Sequence, residues 1–441
     1  MIRKEIILGI FCCLLAGMAK AQTQPLTLEQ AIATALQNNY DIQLSRNDST
    51  VAALNRTYGD YAFYPTVNGN ASYIINNSNQ RQELKNVPAR EGKIKSGTLL
   101  ASANLNWTLF DGFRMFILRK RLNELVTLGE LEIKNQVVTT VSDVMRTYYG
   151  IVRQKEQLKA IKEQMDLSAD RLRIAQYKFD IGVGVKPDVL QAQIDLNAQR
   201  SNLMAQQTAL ERLQETLRQL LNVGQPASFT TTDSVINVAS FISLDSVQNG
   251  VAKTNPQLLI NQQNLRLADL TLQQRRAERF PTVNFSSAYI FNQVNNQNVI
   301  NEVTQPLLNR NAGLNYGLTA SIPILNGFAT RRNIKLAQID IQNQQLLYQR
   351  NLSSIASNIT NAYKDYDLYK RTVALEESNM ALVRENINIA RERYKVGVAT
   401  YLEMRIVEQS LADAQFRLIQ ARYNAKVAEI QLMQLRGDIV R

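Results

Sequence analysis

The sequence predicts a mainly α-helical protein that carries a membrane β-barrel, built from duplicated long-helix hairpins with four strands per chain. Three observations lead there. The stretch Ile174–Leu203 recurs as Ile389–Leu418 at an offset of 215, each copy reading as a helix end, a turn at a glycine and a new helix. Pairs of period-two segments precede the long helical stretches in both copies. The chain also opens on what reads as a secretory leader, which removes it from the cytoplasm.

That leader is predicted over residues 1–21. Arg3 and Lys4 form a basic start, Ile6 to Gly17 an apolar run, and Ala19-Lys20-Ala21 a small-residue cleavage site. The run is shorter than the ~20 apolar residues that a spanning helix needs. Neither Cys12 nor Cys13 follows a small-residue lipobox, so lipoprotein processing is not expected. Both cysteines lie in the leader and the whole chain has no histidine. Disulfides, thiol nucleophiles, imidazole acid–base chemistry and the usual zinc or copper sites are therefore excluded. No constellation of acids, nucleophile or phosphate-binding glycines stands in their place, so no enzyme, metal or cofactor is expected. The formal net charge is +12 over 441 residues. Nucleic acid is a poor fit for that excess, because the chain is exported and its charges alternate in sign along helices. After residue 21 no uncharged apolar run is long enough for a spanning helix, which leaves barrel strands as the route into a membrane.

The offset of 215–216 holds along the chain. Asp60–Asn68 (DYAFYPTVN) matches Arg276–Asn284 (RAERFPTVN), and Leu109–Arg114 (LFDGFR) matches Ile324–Ala329 (ILNGFA). Leu26-Thr27-Leu28 matches Ile242-Ser243-Leu244, and Asn39–Ile42 matches Asn255–Leu258. The mature protein thus reads as a tandem duplication. The first repeat spans 22–221, a connector with Gly224 and Pro226 spans 222–241, and the second repeat spans 242–441.

Each repeat contains the same series. Thr27-Leu28-Glu29-Gln30 is a capping-box start, and Ser243 and Asp245 offer capping groups in the second copy. A helix of roughly 35 residues follows, ending before Pro65 or Pro281. Next, Val67, Gly69, Ala71, Tyr73 and Ile75 alternate with mostly polar residues, as do Leu99, Ala101, Ala103, Leu105, Trp107 and Leu109. The second copy uses Val283, Phe285, Tyr289 and Phe291, then Leu314, Tyr316, Leu318, Ala320 and Ile322. Each segment has about the 9–11 residues that cross an outer membrane. Polar segments 77–97 and 293–313 are expected to be long loops. Helical stretches of about 113–180 and 329–396 follow, each about 100 Å long if continuous. After each glycine turn a return helix runs to about 221 or 435. In the second, Met404, Val407, Leu411, Ala414, Leu418, Ala421, Ala425, Ala428, Leu432 and Leu435 step by threes and fours, a heptad seam. The first copy does the same from Val189 to Leu220, interrupted by Gln199 and Gln206.

Four strands cannot close, and open sheet edges are not tolerated in lipid, so several copies must associate. Polar residues on one strand face predict a wet lumen, although a soluble sheet with one solvated face gives the same alternation. Basic residues gather at the strand–helix junctions: Arg56, Arg119, Lys120 and Arg121, then Arg275, Arg276, Arg331 and Arg332. Trp107, Phe110, Phe280 and Phe328 lie beside them. These aromatics are expected to form a membrane-interface belt, with some of the bases on anionic headgroups.

Taken together, the chain resembles the TolC-type outer-membrane efflux protein family over essentially its whole mature length. The resemblance rests on the duplication, on Asn255-Pro256-Gln257-Leu258, on the corners Leu109-Phe110-Asp111-Gly112-Phe113 and Ile324-Leu325-Asn326-Gly327-Phe328, and on the tips. There Phe179, Gly182 and Asp188, with Tyr394, Gly397 and Glu403, resemble the family's aromatic-x-x-Gly turn and following acidic residue. It implies a homotrimer in the outer membrane, with a twelve-stranded barrel continuing into an α-helical tunnel across the periplasm. It also implies docking through the tips to a periplasmic adaptor and an inner-membrane pump, with no chemistry performed. Family members narrow the closed entrance with two aspartates three residues apart; here those positions hold Glu403 and Ile406. The family's gate tyrosine matches Tyr394, and its arginine position falls on Ala399. Glu403 could still form a carboxylate ring that favours cations, or it could simply sit in the first turn of a helix, where the dipole favours an acid.

The expected function is a passive exit duct for small-molecule efflux. The same duct serving type I protein secretion, or an exported coiled-coil structural or adhesive protein, would share many of these features. The cargo is not written in the sequence, because a wide aqueous tunnel has no shaped pocket.

Overall fold

A computed structural model describes residues 24–224, 229–239, 242–298 and 307–439. The expected leader lies outside the described residues, as do 225–228 and 240–241 of the expected connector and 299–306 of the second expected loop. In chain order the elements are β1 (Gln24–Leu26), α1 (Leu28–Asn38), α2 (Tyr40–Thr57), a 3-10 turn (Gly59–Phe63), β2 (Thr66–Leu84), β3 (Val87–Phe110), α3 (Arg114–Asp180), α4 (Lys186–Leu221) and β4 (Phe229–Thr231). There follow α5 (Leu244–Gln248), α6 (Val251–Thr254), α7 (Pro256–Ala277), β5 (Thr282–Asn298), β6 (Leu308–Ser321), α8 (Ala329–Lys395) and α9 (Tyr401–Arg436). Both long helices have 67 residues and both return helices 36, so the duplication is kept to the residue in the hairpins.

The chain forms two compact units, each drawing on both repeats. One comprises the chain up to Asn47, Glu130–Ile260 and the part from Tyr348 on; the other comprises Asp48–Gly129 and Asn261–Leu347. The first is helical, apart from β1 paired in parallel with β4. It holds two equivalent cores. Ala31, Ala35, Val144 and Leu217 pack in one, and Val247, Val251, Ile359 and Leu432, their counterparts at 215–216, pack in the other. The α9 seam is buried as its spacing predicts, with Met404, Leu411, Ala414, Ala421, Ala425, Ala428 and Leu432 all inside.

The opening helix of each repeat is not the single 35-residue rod that periodicity suggests. It breaks at Asn39 and again at Asn255, whose backbones are extended. Each asparagine turns its side chain to both sides of its break. The Asn39 Oδ1 accepts from the N–H of Asp41 (3.0 Å) and of Ile42 (3.3 Å), capping α2, while its Nδ2 donates to the Leu220 carbonyl at 2.9 Å. Asn255 caps α7 through the Leu258 N–H (3.1 Å) and donates to the Leu435 carbonyl (2.8 Å). The break thus satisfies the orphan carbonyls where a return helix ends. Asn39→Ala and Asn255→Ala should each lower the melting stability of the purified protein by about 1–2 kcal/mol, the sum of a lost cap and a lost buried hydrogen bond. Equal costs would be expected of the two, since the geometry is repeated. The Thr27–Gln30 capping box is present, whereas Ser243 starts α5 without a side-chain cap.

The other unit carries one antiparallel sheet in the order β2-β3-β5-β6, with β2 and β6 at its edges. The register sorts most side chains by face, with Ile74, Leu100 and Ile290 on the mainly polar one. Val67, Tyr73, Leu99, Leu105, Trp107, Phe285, Tyr289, Leu314, Tyr316 and Leu318 share one face, and Asn68, Asn70, Asn104, Asn106, Ser102, Ser286 and Asn315 share the other. Large apolar side chains such as Tyr73, Ile75, Leu314, Tyr316 and Leu318 stand exposed, a patch that a water-facing sheet does not leave bare. Segment 77–97 is not a loop: β2 and β3 continue paired from Asn77↔Lys95 to Leu84↔Val87, turning at Lys85-Asn86 with Asn86 left-handed (φ 71°). Segment 293–313 is likewise mostly strand at its described ends. Beyond Asn76 the residues are mostly polar, with Leu84, Val87 and Ile94 too scattered to mark a period.

Candidate functional site at the hairpin tips

The two tips use one backbone solution. At the first, the N–H groups of Val183 and Gly184 return to the Lys178 carbonyl (3.0 and 2.9 Å); at the second, those of Val398 and Ala399 return to Arg393 (2.9 and 3.1 Å). Gly182 (φ 80°) and Gly397 (φ 83°) supply the left-handed residue that closes each helix. The side chains differ. α4 begins at Lys186, after Val185, which gives no side-chain cap; Pro187 lies in its first turn, and Asp188 there faces the positive end of the helix. α9 begins with a full capping box. The Thr400 hydroxyl accepts from the Glu403 N–H at 3.2 Å, and a Glu403 carboxylate oxygen accepts from the Thr400 N–H at 2.8 Å. Glu403 therefore serves its own helix, while Ile406 is exposed and Ala399 is buried in an apolar cluster with Met380, Tyr394 and Met404.

Tyr394 is buried, and Lys178 from the other hairpin donates to its carbonyl at 2.7 Å and lies 4.1 Å from its ring centre. Burial raises the Tyr394 phenol above its usual range; the charge of Asp188 adds to this and that of Arg171 opposes it. Phe179 is half-exposed at the end of α3. The structure thus brings Tyr394 and Asp188 within electrostatic reach of each other and leaves Glu403 in its cap.

Behind the tips lies an ionic cluster that sequence reading missed. Arg171 on α3 is 3% exposed and sits between Asp195 on α4 (2.9 Å) and Glu408 on α9 (2.7 Å). The Tyr401 hydroxyl donates to Asp195 at 2.9 Å, Arg405 approaches the same carboxylate at 3.3 Å, and the Tyr401 ring lies 4.9 Å from the Arg171 guanidinium. Burial pushes the Glu408 carboxyl up to about 7, Arg171 opposing this and Asp195 adding to it. Burial and the bond to Asp195 likewise raise the Tyr401 phenol. Arg391 pairs with Asp170, and Gln415 donates to Glu163 at 3.0 Å, so further polar contacts join the two hairpins. A signal was present in the sequence. Glu408 falls four residues after Met404 and three before Leu411, inside the apolar seam, and its counterpart in the first repeat is Gln193.

At the strand–helix corners, Gly112-Phe113 and Gly327-Phe328 place two successive left-handed residues at matching positions (φ 72° and 68°; 61° and 62°). Trp107 donates its indole N–H to the Phe63 carbonyl at 2.8 Å, and Phe110 packs edge-on to Phe113 at 5.2 Å. Phe280 and Phe328 are exposed. Several nearby arginines carry carboxylate partners: Arg114 with Asp111, Arg119 with Asp60 and Arg275 with Glu278. Among the described residues, no helix is long and apolar enough to cross a membrane.

The model of the family described as "Outer membrane efflux protein" matches residues 31–223 and 249–438, one match per repeat. "Toxin and drug export protein A" of Aggregatibacter actinomycetemcomitans is 21% identical over 403 residues, 91% of this chain and 84% of that one. "Outer membrane efflux protein BepC" of Brucella suis is 20% identical over 413 residues, 93% of this chain and 85% of that one. The crystal structure of the Campylobacter jejuni CmeC outer membrane channel superposes with a TM-score of 0.76 at 16% identity, covering 93% of this chain and 85% of that one.

Proposed function

This chain belongs to the outer membrane efflux protein family and is a protein of the outer membrane that extends into the periplasm, and on that premise we propose that it is the exit duct of a tripartite efflux system. Small molecules handed over by an inner-membrane pump pass through it without chemistry. One observation carries the reading: each chain contributes a sheet with an exposed apolar face, a polar opposite face and two open edges, together with two equal helical hairpins. Open edges in lipid must be paired, and three copies would supply twelve strands around a wet lumen. Trp107, Phe110, Phe280 and Phe328 would then form the interface belt, and the tips at Phe179, Gly182, Asp188, Tyr394, Gly397 and Glu403 would meet the adaptor and set the entrance. The two repeats would serve as the two hairpin-bearing domains of each protomer.

The test is assembly and conduction. Purified protein should run as a heat-dissociable trimer from outer-membrane fractions and give ion conductance in planar bilayers; soluble monomers would end this reading. Glu403 faces its own helix N-terminus, so its role at the entrance is separable. Glu403→Gln should reduce cation preference of single channels while keeping the fold, and unchanged conductance and selectivity would remove it from the gate. A second reading, a duct for secreted polypeptide, is favoured by the relative named for toxin as well as drug export. Loss of toxin-like polypeptide secretion, with drug tolerance intact, in a strain lacking this chain would decide for it.

A further inference from the structure

Glu408 is 1% exposed, and neither of its carboxylate oxygens receives an aligned hydrogen bond. Its close charge partner is Arg171, which also serves Asp195 and whose own Nε is buried without a partner. Besides Arg171 and Asp195, Tyr394 on α8 is the titratable group within electrostatic reach of it. Lys178 of α3 and Asp188 of α4 act on Tyr394, and Tyr401 and Arg405 of α9 contact Asp195. Lys178 is committed to the Tyr394 carbonyl and Arg405 lies on Asp195, so neither neutralises Glu408. A carboxylate this dry and this poorly bonded is costly to keep ionised.

We propose that Glu408, Arg171 and Asp195 form a proton-operated clasp between the two hairpins, in which Glu408 keeps its proton while the hairpins are packed and releases it to solvent when they part. On release the O–H electron pair stays on the carboxylate and the proton passes to water. The packed state holds the carboxyl near 7, against 4.5 for an ordinary hydrated glutamate. A group bound more tightly by protons in the packed state favours that state at low pH, and this advantage is lost as pH rises through about 7. Between those two values the equilibrium for parting should rise about tenfold per pH unit. Acid holds the clasp and neutral to alkaline solution loosens it. That parting opens a duct rests on the function proposed above; the protonation of Glu408 does not.

The test uses Val183→Cys and Val398→Cys, exposed at the first and second tips of a mature chain that otherwise has no cysteine. Spin labels at the two sites, in labelled chain diluted with unlabelled chain, report tip-to-tip distances from pH 5 to 9. The longer-distance population should grow as pH rises toward 7 and level off above it, and Glu408→Gln, fixed in the neutral form, should remain packed throughout. In unlabelled wild-type protein, a protonated-carboxyl infrared band should fade over the same range and be missing from Glu408→Gln. A pH-independent distance, a rise with pH that survives Glu408→Gln, or no carboxyl band below pH 7 would each overturn the clasp. Bilayers without conductance would instead sink the duct and leave these distances as they are.

Discussion

Arg171→Met is expected to destabilise the helical unit by about 3–5 kcal/mol, read as a lower denaturation midpoint of the purified protein at pH 6, where the hairpins are packed. The reason is asymmetry rather than the strength of a salt bridge. Removing the guanidinium leaves Asp195 and Glu408 facing each other across a dry seam with one exposed arginine, Arg405, on Asp195. Breaking a buried ionic group on one side costs far more than replacing the whole group by neutral side chains of similar volume. Arg171→Met combined with Asp195→Asn and Glu408→Gln should therefore recover most of the loss. A loss under 1 kcal/mol in the single variant at pH 6 would mean that water reaches the cluster.

Gly112→Ala is expected to be the most damaging small substitution in the sheet unit, costing about 3 kcal/mol or more and sharply reducing the folded protein recovered from outer membranes. Gly112 is left-handed (φ 72°), and a Cβ there would meet the Ala277 carbonyl at 2.6 Å and Phe280 Cβ at 2.8 Å. The conformation alone costs about 1–2 kcal/mol for an alanine, and the clash with fixed backbone adds overpacking of similar size. Its counterpart Gly327 supplies the control. It has the same turn (φ 61°) with open space around its Cβ position, so Gly327→Ala should cost only the conformational part. Similar losses at both corners would show that the contact with Ala277 does not matter.

Periodicity carried much of the fold because the fold is made of long, regular, two-faced elements. The α9 seam from Met404 to Leu435 and the alternation at Val67–Ile75 are legible because each sets apolar side chains mainly on one side. What was missed lies where that rule fails. The breaks at Asn39 and Asn255 depend on hydrogen bonds to carbonyls about 180 residues away, which no local pattern contains. The strand extension past Asn76 is mostly polar and has no continuous apolar face. At the tips, Glu403 lies in the first turn of its helix, as its place after the glycine allowed. The carboxylate in the demanding position is Glu408, visible in sequence only as an acid on an apolar stripe.

The paired extension from Asn77 to Lys95 has a consequence for how the molecule can vary. A strand whose two faces both meet water has no inward set of side chains to misplace, so adding or removing residues in facing pairs at Lys85-Asn86 keeps every lower pair in step. The rim can lengthen, shorten or change its chemistry while the wall below stays fixed. In the duct proposed above, with this turn on the outer side, anything that recognises the protein from outside the cell would meet its most freely changeable part, and the bearing surface of the barrel would be shielded from that pressure.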